Sequence, residues 1–209
     1  MSLVDFYKLS LNEFAAFLQQ VQTGAIMHAA DPYAFPAEDR AQLEQDVTAW
    51  KEALIQVDLL DEGCDEAKQT RDDARKTFRK VVRPAREWAK GQFHGDDERR
   101  GEYKLQDAPP TRLVDLLAYG RSLLEANTQE PPLDPALPER LLVPIQSVFA
   151  ELEAGVEAYQ SGRLAYKQVL TGRNALRDEI EARVRGLRQY LYSYLDREDP
   201  ILRDYGLAR

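Results

Sequence analysis

The chain has 209 residues, with 28 Lys and Arg against 36 Asp and Glu, two His and one Cys. This length is enough for one or two small domains, and a hydrophobic content of 44% with 31% charged residues excludes a largely disordered chain. A single cysteine excludes an internal disulfide, a cysteine-based zinc ribbon and a CxxC redox pair. The net charge of −8 opposes nucleic-acid binding unless a local basic patch provides it.

The sequence contains no pattern typical of a membrane span or a secretory signal. No run reaches the roughly 18 apolar residues of a membrane span. The start, MSLVDFYKLS, lacks the basic region and apolar run of a secretory signal. We therefore expect a cytoplasmic protein with no membrane partner.

The first predicted element is a short helix that begins at Ser10. Ser10 and Glu13 match the S-x-x-E capping box, and the apolar residues that follow fall on one helical face. A loop rich in proline, residues 31–36, ends this helix because proline cannot continue it. A second short helix is predicted near Thr111 to Ala126, and it is followed by another proline-rich loop, residues 131–138.

Residues 37–94 and 137–197 are two long stretches of helix-forming residues with apolar residues three and four positions apart. Charge divides the first stretch, because residues 38–66 hold ten acids and two bases whereas residues 68–90 hold nine bases and three acids. Antiparallel neighbours complement each other in this way. This favours a hairpin that turns near Gly63, and a weaker version of the same pattern places a turn at Ser161-Gly162. The apolar spacing runs on through Gly63, so one continuous helix remains the alternative.

An internal repeat appears when the chain is laid on itself at an offset of 102 residues. Each short helix, proline loop and long stretch then falls in register, and Tyr103 matches Tyr205 as Leu105 matches Leu207. Pro84 falls opposite Gly186, which predicts a shared kink. We therefore predict an all-α, elongated antiparallel helical bundle of two tandem helical-hairpin repeats, residues 1–105 and 106–209, packed as one domain.

The run Thr171 to Arg177 with the ending Asp199 to Leu207 resembles a family of uncharacterised bacterial proteins. Members of that family look like duplicated helical hairpins with a K/R-N-x-x-R run in the second helix and a D-x-x-I-L-type tail. In residues 70–105 the resemblance is fainter, because Asp72 replaces the Asn. The resemblance implies the fold and supplies no activity and no catalytic residue.

The candidate sites favour simple structural interpretations. The cluster His94-Gly95-Asp96-Asp97-Glu98 has no helical metal-ligand spacing, so we expect a solvated loop after a helix end. We interpret His28 as a connection residue. Arg and Lys alternate with Phe78 and Trp88 in residues 68–90, but both aromatic residues fall on the apolar stripe, so nucleic-acid binding is not favoured.

The sequence contains none of the common catalytic motifs. No nucleophile with a base, phosphate loop or facing acid pair occurs, so we expect no catalytic role and no cofactor or metal. Tyr190, Tyr192 and Tyr194 leave the last helix apolar nearly all round, which predicts either core packing or an interaction surface with a protein partner or a second copy. We expect a non-catalytic scaffold or adaptor. The alternative is a bundle that binds a small molecule or a metal between its hairpins.

Overall fold

The computed structural model describes residues 9–130 and 132–207, all helix and connecting loops with no strand among them. The chain start on which the signal argument rested, residues 1–8, and Pro131 in the second loop lie outside the described residues. The all-α prediction is confirmed. The helices are α1 (Leu11–Met27), α2 (Ala37–Gln92), α3 (Asp97–Glu102), α4 (Leu113–Thr128), α5 (Glu139–Tyr192) and α6 (Ile201–Asp204).

The chain folds as two compact units that share both long helices. Unit 1 takes the residues up to Leu60 and from Ala165 onward, and unit 2 is Asp61–Leu164. Unit 1 therefore contains α1, the first part of α2, the last part of α5 and α6, whereas unit 2 contains the remaining parts of α2 and α5 with α3 and α4. Each predicted repeat contributes to both units. None of the helices in the described part of the chain has the length and apolar character needed to cross a bilayer.

The predicted turn at Gly63 is wrong, because α2 is one helix of 56 residues. A helix of that length measures about 84 Å. A glycine inside a helix costs only about 0.5–1 kcal/mol, and the buried stripe continues past it through Val57, Cys64 and Ala74. A helix of this length fits a chain of 209 residues because α2 contributes its first part to unit 1 and its remaining part to unit 2.

The predicted turn at Ser161-Gly162 is wrong for a related reason, since α5 runs unbroken over 54 residues. Its two glycines in unit 2, Gly155 and Gly162, face α2. A Cβ atom built on Gly155 would lie 3.1 Å from the Cα atom of Arg71, and one on Gly162 would lie 3.4 Å from the Sγ atom of Cys64. These glycines permit close helix packing and do not end the helix.

Charge complementarity occurs, but with a different partner from the one predicted. The acidic and basic segments of α2 follow one another along a single helix and cannot face each other. In unit 1 the acidic part of α2 lies instead beside the basic end of α5, where Asp46 pairs with Arg183.

The starts of the four longest helices keep the 102-residue offset, since α1 and α4 begin at Leu11 and Leu113 and α2 and α5 at Ala37 and Glu139. The offset extends to the turns after α3 and α6. The amide of Leu105 donates to the carbonyl of Arg100, as that of Leu207 does to Leu202. The residues before them, Lys104 and Gly206, both have a positive φ, which gives the two turns the geometry of a Schellman motif.

Each unit has its own apolar core. The large side chains of the unit 1 core are Phe14, Phe17, Leu18, Phe35, Leu43, Val47, Trp50, Ile180, Leu187, Leu191 and Tyr205. Those of the unit 2 core are Phe78, Val82, Tyr103, Leu105, Leu116, Leu123, Leu137, Ile145, Phe149 and Leu152. The three-four spacing predicted most of these positions. It missed Val82 and Phe149 within the long helices and five core residues outside them, Phe35, Tyr103, Leu105, Leu137 and Tyr205.

The cores of the two units differ in side-chain size at two positions related by the 102-residue offset. Unit 1 has Leu18 and Val47, and 102 residues later unit 2 has Gly120 and Phe149. A Cβ atom on Gly120 would lie 2.1 Å from the Phe149 ring. The phenyl ring of unit 2 therefore occupies the space that a side chain at position 120 would need.

We expect Gly120→Leu to destabilise the protein by at least the roughly 1–3 kcal/mol of an overpacked core, because the ring of Phe149 must move. Adding Phe149→Val reproduces the pair of unit 1 and should recover part of that loss, with a coupling energy of about 0.5–3 kcal/mol. Urea unfolding of both single variants and the double variant measures this coupling. Purely additive effects would contradict the size exchange.

Candidate functional site

The predicted tyrosine surface divides in the structure, because its three members have different surroundings. Tyr190 packs against Phe35 with ring centroids 6.1 Å apart, and its hydroxyl donates to the carbonyl of Ala34 at 3.1 Å. Tyr192 is half-buried and has the guanidinium of Arg197 5.7 Å above its ring. Of the three, Tyr194 alone is exposed, at 57%. Whether this end of α5 is an interaction surface stays a prediction.

His28 lies at the centre of a polar cluster in unit 1 that sequence reasoning missed. Its Nδ1 atom is 2.7 Å from a carboxylate oxygen of Asp31, and its Nε2 atom is 3.0 Å from one of Asp204 in α6. The ring stacks on Tyr205 at 5.5 Å. Tyr33 donates to the same Asp31 oxygen at 2.7 Å. The predicted connection residue therefore joins the end of α1 to α6.

This arrangement requires a charged imidazole. A neutral histidine has one N–H and can donate to one carboxylate only, whereas the imidazolium donates from both nitrogens. Burial alone would lower the pKa of His28, but the hydrogen bonds to Asp31 and Asp204 outweigh it and raise that pKa. The pKa of Asp31 is lowered, first by the hydrogen bond from Tyr33 and then by His28, so its carboxylate stays ionised near neutrality.

The cluster predicts a pH-dependent stability. A raised pKa in the folded state means that the stabilisation is fully present below the unfolded histidine pKa of about 6.5 and is lost as the pH rises through the folded value. The difference in unfolding free energy between the wild type and His28→Asn should therefore be largest below about pH 6.5 and should shrink as the pH rises above it. Urea titrations at several pH values measure it, and a difference that grows with pH would contradict the charged cluster.

A second polar feature of unit 1 is an ion pair between α2 and α5 whose carboxylate is buried and whose guanidinium is 36% exposed. Asp46 is 3% exposed. It accepts two hydrogen bonds from Arg183, Nε to Oδ2 at 2.7 Å and Nη2 to Oδ1 at 2.6 Å. The amide of Gln42 adds a third at 3.1 Å. This fork geometry is the strongest form of an Arg–carboxylate contact.

Unit 2 shows that the fold itself does not need this ion pair. The residues at the equivalent positions are Val148 and Val81, and both pack against the unit 2 core. Charges removed from water carry a large desolvation cost, so a buried ion pair is often no more stable than apolar residues of similar size. The pair is therefore a specialisation of unit 1.

We expect the double variant Asp46→Val with Arg183→Val, which copies unit 2, to be about as stable as the wild type or more stable. Asp46→Ala alone leaves a guanidinium without its carboxylate, and we expect it to destabilise at the lower end of about 3–5 kcal/mol because Arg183 keeps some contact with water. Chemical denaturation of the two variants measures both changes. A double variant less stable than the single one would contradict the assignment.

The arginines of the resemblance motif have structural partners that recur at the same offset. Arg177 donates to the carbonyl of Leu9 before α1, and Arg75 donates to that of Thr111 before α4. Arg173 binds the side chain of Asn174, as Arg71 binds that of Asp72. In both repeats this run therefore attaches a long helix to the start of a short one. The sequence match of the arginines was the available signal, although their acceptors were not predictable from it.

A third feature of unit 1 is an exposed apolar pair on α2. Ile55 and Leu59 lie one helical turn apart and are 59% and 62% exposed. Glu52 and Asp58, both exposed, flank them. We call these four residues the acidic-apolar face of α2.

The remaining candidates take structural positions in unit 2. α2 ends at Gln92, and His94 and Gly95 lie in the following turn as predicted. Asp97 and Glu98 begin α3, so the loop predicted over them is wrong. Asp96 forms the cap that starts this helix by accepting from the amide of Arg99 at 2.9 Å.

The described residues contain no group of three or more His, Cys, Asp or Glu side chains able to hold a metal ion. In the basic part of α2, Phe78 is fully buried against Phe149, and Trp88 packs edge-on against Tyr103. Both aromatic rings are occupied by the core and do not form a stacking surface for bases.

Neither a family model, nor a curated protein, nor a solved structure matches the chain.

Proposed function

We propose that the protein is a non-catalytic interaction protein, a scaffold or adaptor that presents its long helices to a protein partner. The acidic-apolar face carries this proposal. Ile55 and Leu59 occupy neighbouring turns of a rigid helix and pack against no core in unit 1. Two apolar side chains in one line on a helix match the anchor spacing by which amphipathic helices bind each other.

The charges around this face specify the partner. Glu52 and Asp58 flank the apolar pair, and residues 38–66 hold ten acids against two bases. A partner helix with an apolar stripe and Lys or Arg on its flanks would complement this surface, and the charges would raise its rate of association. We expect the complex to form in the cytoplasm of a bacterial cell. A second copy of the chain is the alternative partner.

We expect Ile55→Ser with Leu59→Ser to abolish capture of the partner and to leave the fold intact, because exposed substitutions change stability by no more than about 0.5 kcal/mol. A photo-crosslinking residue at position 56, beside the pair, identifies what docks there in a lysate of the source organism. Capture should weaken as ionic strength rises, since exposed charges more than about 8–10 Å apart are screened at physiological salt.

The matched control is Val114→Ser with Val143→Ser, which removes two exposed apolar side chains from unit 2. It should retain the same partner. The proposal fails if the two double variants behave alike, or if the crosslinked segment carries no basic flanks. Crosslinking to a second copy of the chain, together with a dimer in sedimentation equilibrium, would show that this face mediates self-association and would overturn the proposal of a basic partner helix.

A further inference from the structure

A cavity of about 230 Å³ lies in unit 1 between the start of α2 and the end of α5. Buried Leu43 and Leu187 form its apolar wall. The other lining residues are Asp39, Gln42, Asp46, Arg183, Gly186 and Tyr190. We call it the unit 1 cavity.

Core packing does not account for this lining. At the equivalent positions of unit 2, the five polar side chains and Gly186 are replaced by apolar side chains or by proline. The replacements are Leu141, Pro144, Val148, Val81, Pro84 and Trp88. The same helical framework therefore folds with an apolar lining, whereas unit 1 keeps the Asp46–Arg183 ion pair beside its cavity.

The charges of the lining favour a cation. Two carboxylates and one guanidinium line the cavity, and the guanidinium of Arg183 is held by both oxygens of Asp46. The carboxylate of Asp39 has no hydrogen bond or ion pair with any described residue. It lies close enough to Tyr190 to contribute to the raised pKa of that phenol, behind burial and Tyr194. One negative charge of the site is thus left without a partner.

Tyr190 supplies the aromatic ring that a cation site needs beside its carboxylate. Tyr190 lines the cavity, and its ring lies 5.2 Å from the ring of Tyr194. An aromatic face beside a carboxylate is the combination that recognises ammonium groups, through cation–π attraction and charge. A cavity of this size is below the roughly 300–1,000 Å³ of sites for drug-sized molecules, so it suits a compound of few atoms.

We propose that the unit 1 cavity binds a small organic ammonium ion, with its charge on the Asp39 carboxylate, its carbon atoms on Leu43 and Leu187, and the Tyr190 ring beside it. Asp46 and Arg183 act as positioning residues that hold α2 and α5 at the distance that keeps the cavity open. A Cβ atom built on Gly186 would meet nothing within 4 Å. The space beside this glycine is therefore open, and no side chain at position 186 fills it.

The test uses butylammonium as the probe and butan-1-ol as its neutral counterpart of similar size. NMR titration of the full chain should show saturable shifts at the amides of residues 39–46 and 183–190, with a Kd of about 1 mM or tighter for butylammonium. Butan-1-ol should bind at least tenfold more weakly. Equal binding of the two probes, or shifts spread over the whole chain, would overturn the proposal.

A matched pair of variants separates the site from the charge at the start of α2. Glu38 and Asp39 both lie in the first turn of α2, but only Asp39 lines the cavity. Asp39→Asn should weaken butylammonium binding at least tenfold, whereas Glu38→Gln should leave it within about twofold. Equal losses in both variants would reduce the effect to general electrostatics. The Ile55→Ser, Leu59→Ser variant should bind the probe normally, which separates this proposal from protein docking.

Discussion

The structure depends on the antiparallel pairing of two helices, each longer than fifty residues. Each long helix carries an apolar stripe along its length, and burial of such a stripe is the main source of stability for a helix in water. In unit 1 the contact is formed by the first part of α2 and the last part of α5, and in unit 2 by the remaining parts. The short helices then cover what the long pair leaves open, and α1 and α6 do so together in unit 1.

Positions related by the 102-residue offset give this protein an internal reference for separating fold from function. Features that recur at the 102-residue offset include the helix starts, the turns before Leu105 and Leu207, and the arginines that hold the short helices. They belong to the framework. The His28 cluster, the Asp46–Arg183 pair and the cavity beside it have no counterpart at that offset among the described residues. All three lie in unit 1, and they distinguish its polar chemistry from that of unit 2.

Much of the local structure was predictable from the sequence. The capping box at Ser10 and Glu13 forms as expected, with hydrogen bonds of 2.7 and 3.3 Å, because it depends only on residues three apart. The helical content and most core positions follow from the period of the apolar residues. The turns failed because a glycine is a weak signal. Gly63 and Gly162 continue their helices, and only the packing of the opposite helix decides between a break and a continuation.

The His28 cluster and the Asp46–Arg183 pair of unit 1 were not predictable, since the residues that form them are far apart in the chain. His28 and Asp204 are separated by 176 residues, and Asp46 and Arg183 by 137. A lone histidine in a connection and an acid within an acidic helix carry no local sign of such partners. The acidic-apolar face was hidden for another reason, because Ile55 and Leu59 fit a helical sequence equally well whether a neighbour covers them or not.

The sequence by itself determined the class of fold, the helix-forming segments and the 102-residue offset between the starts of the four longest helices, because propensity, capping and periodicity act over a few residues. Only the tertiary structure decided which segments pair. It placed the acids of α2 beside the bases of α5 and brought two aspartates to His28. It also left an unpaired carboxylate beside an aromatic ring. These outcomes depend on contacts across more than a hundred residues, where many pairings satisfy the local pattern and the packing of the whole chain selects one.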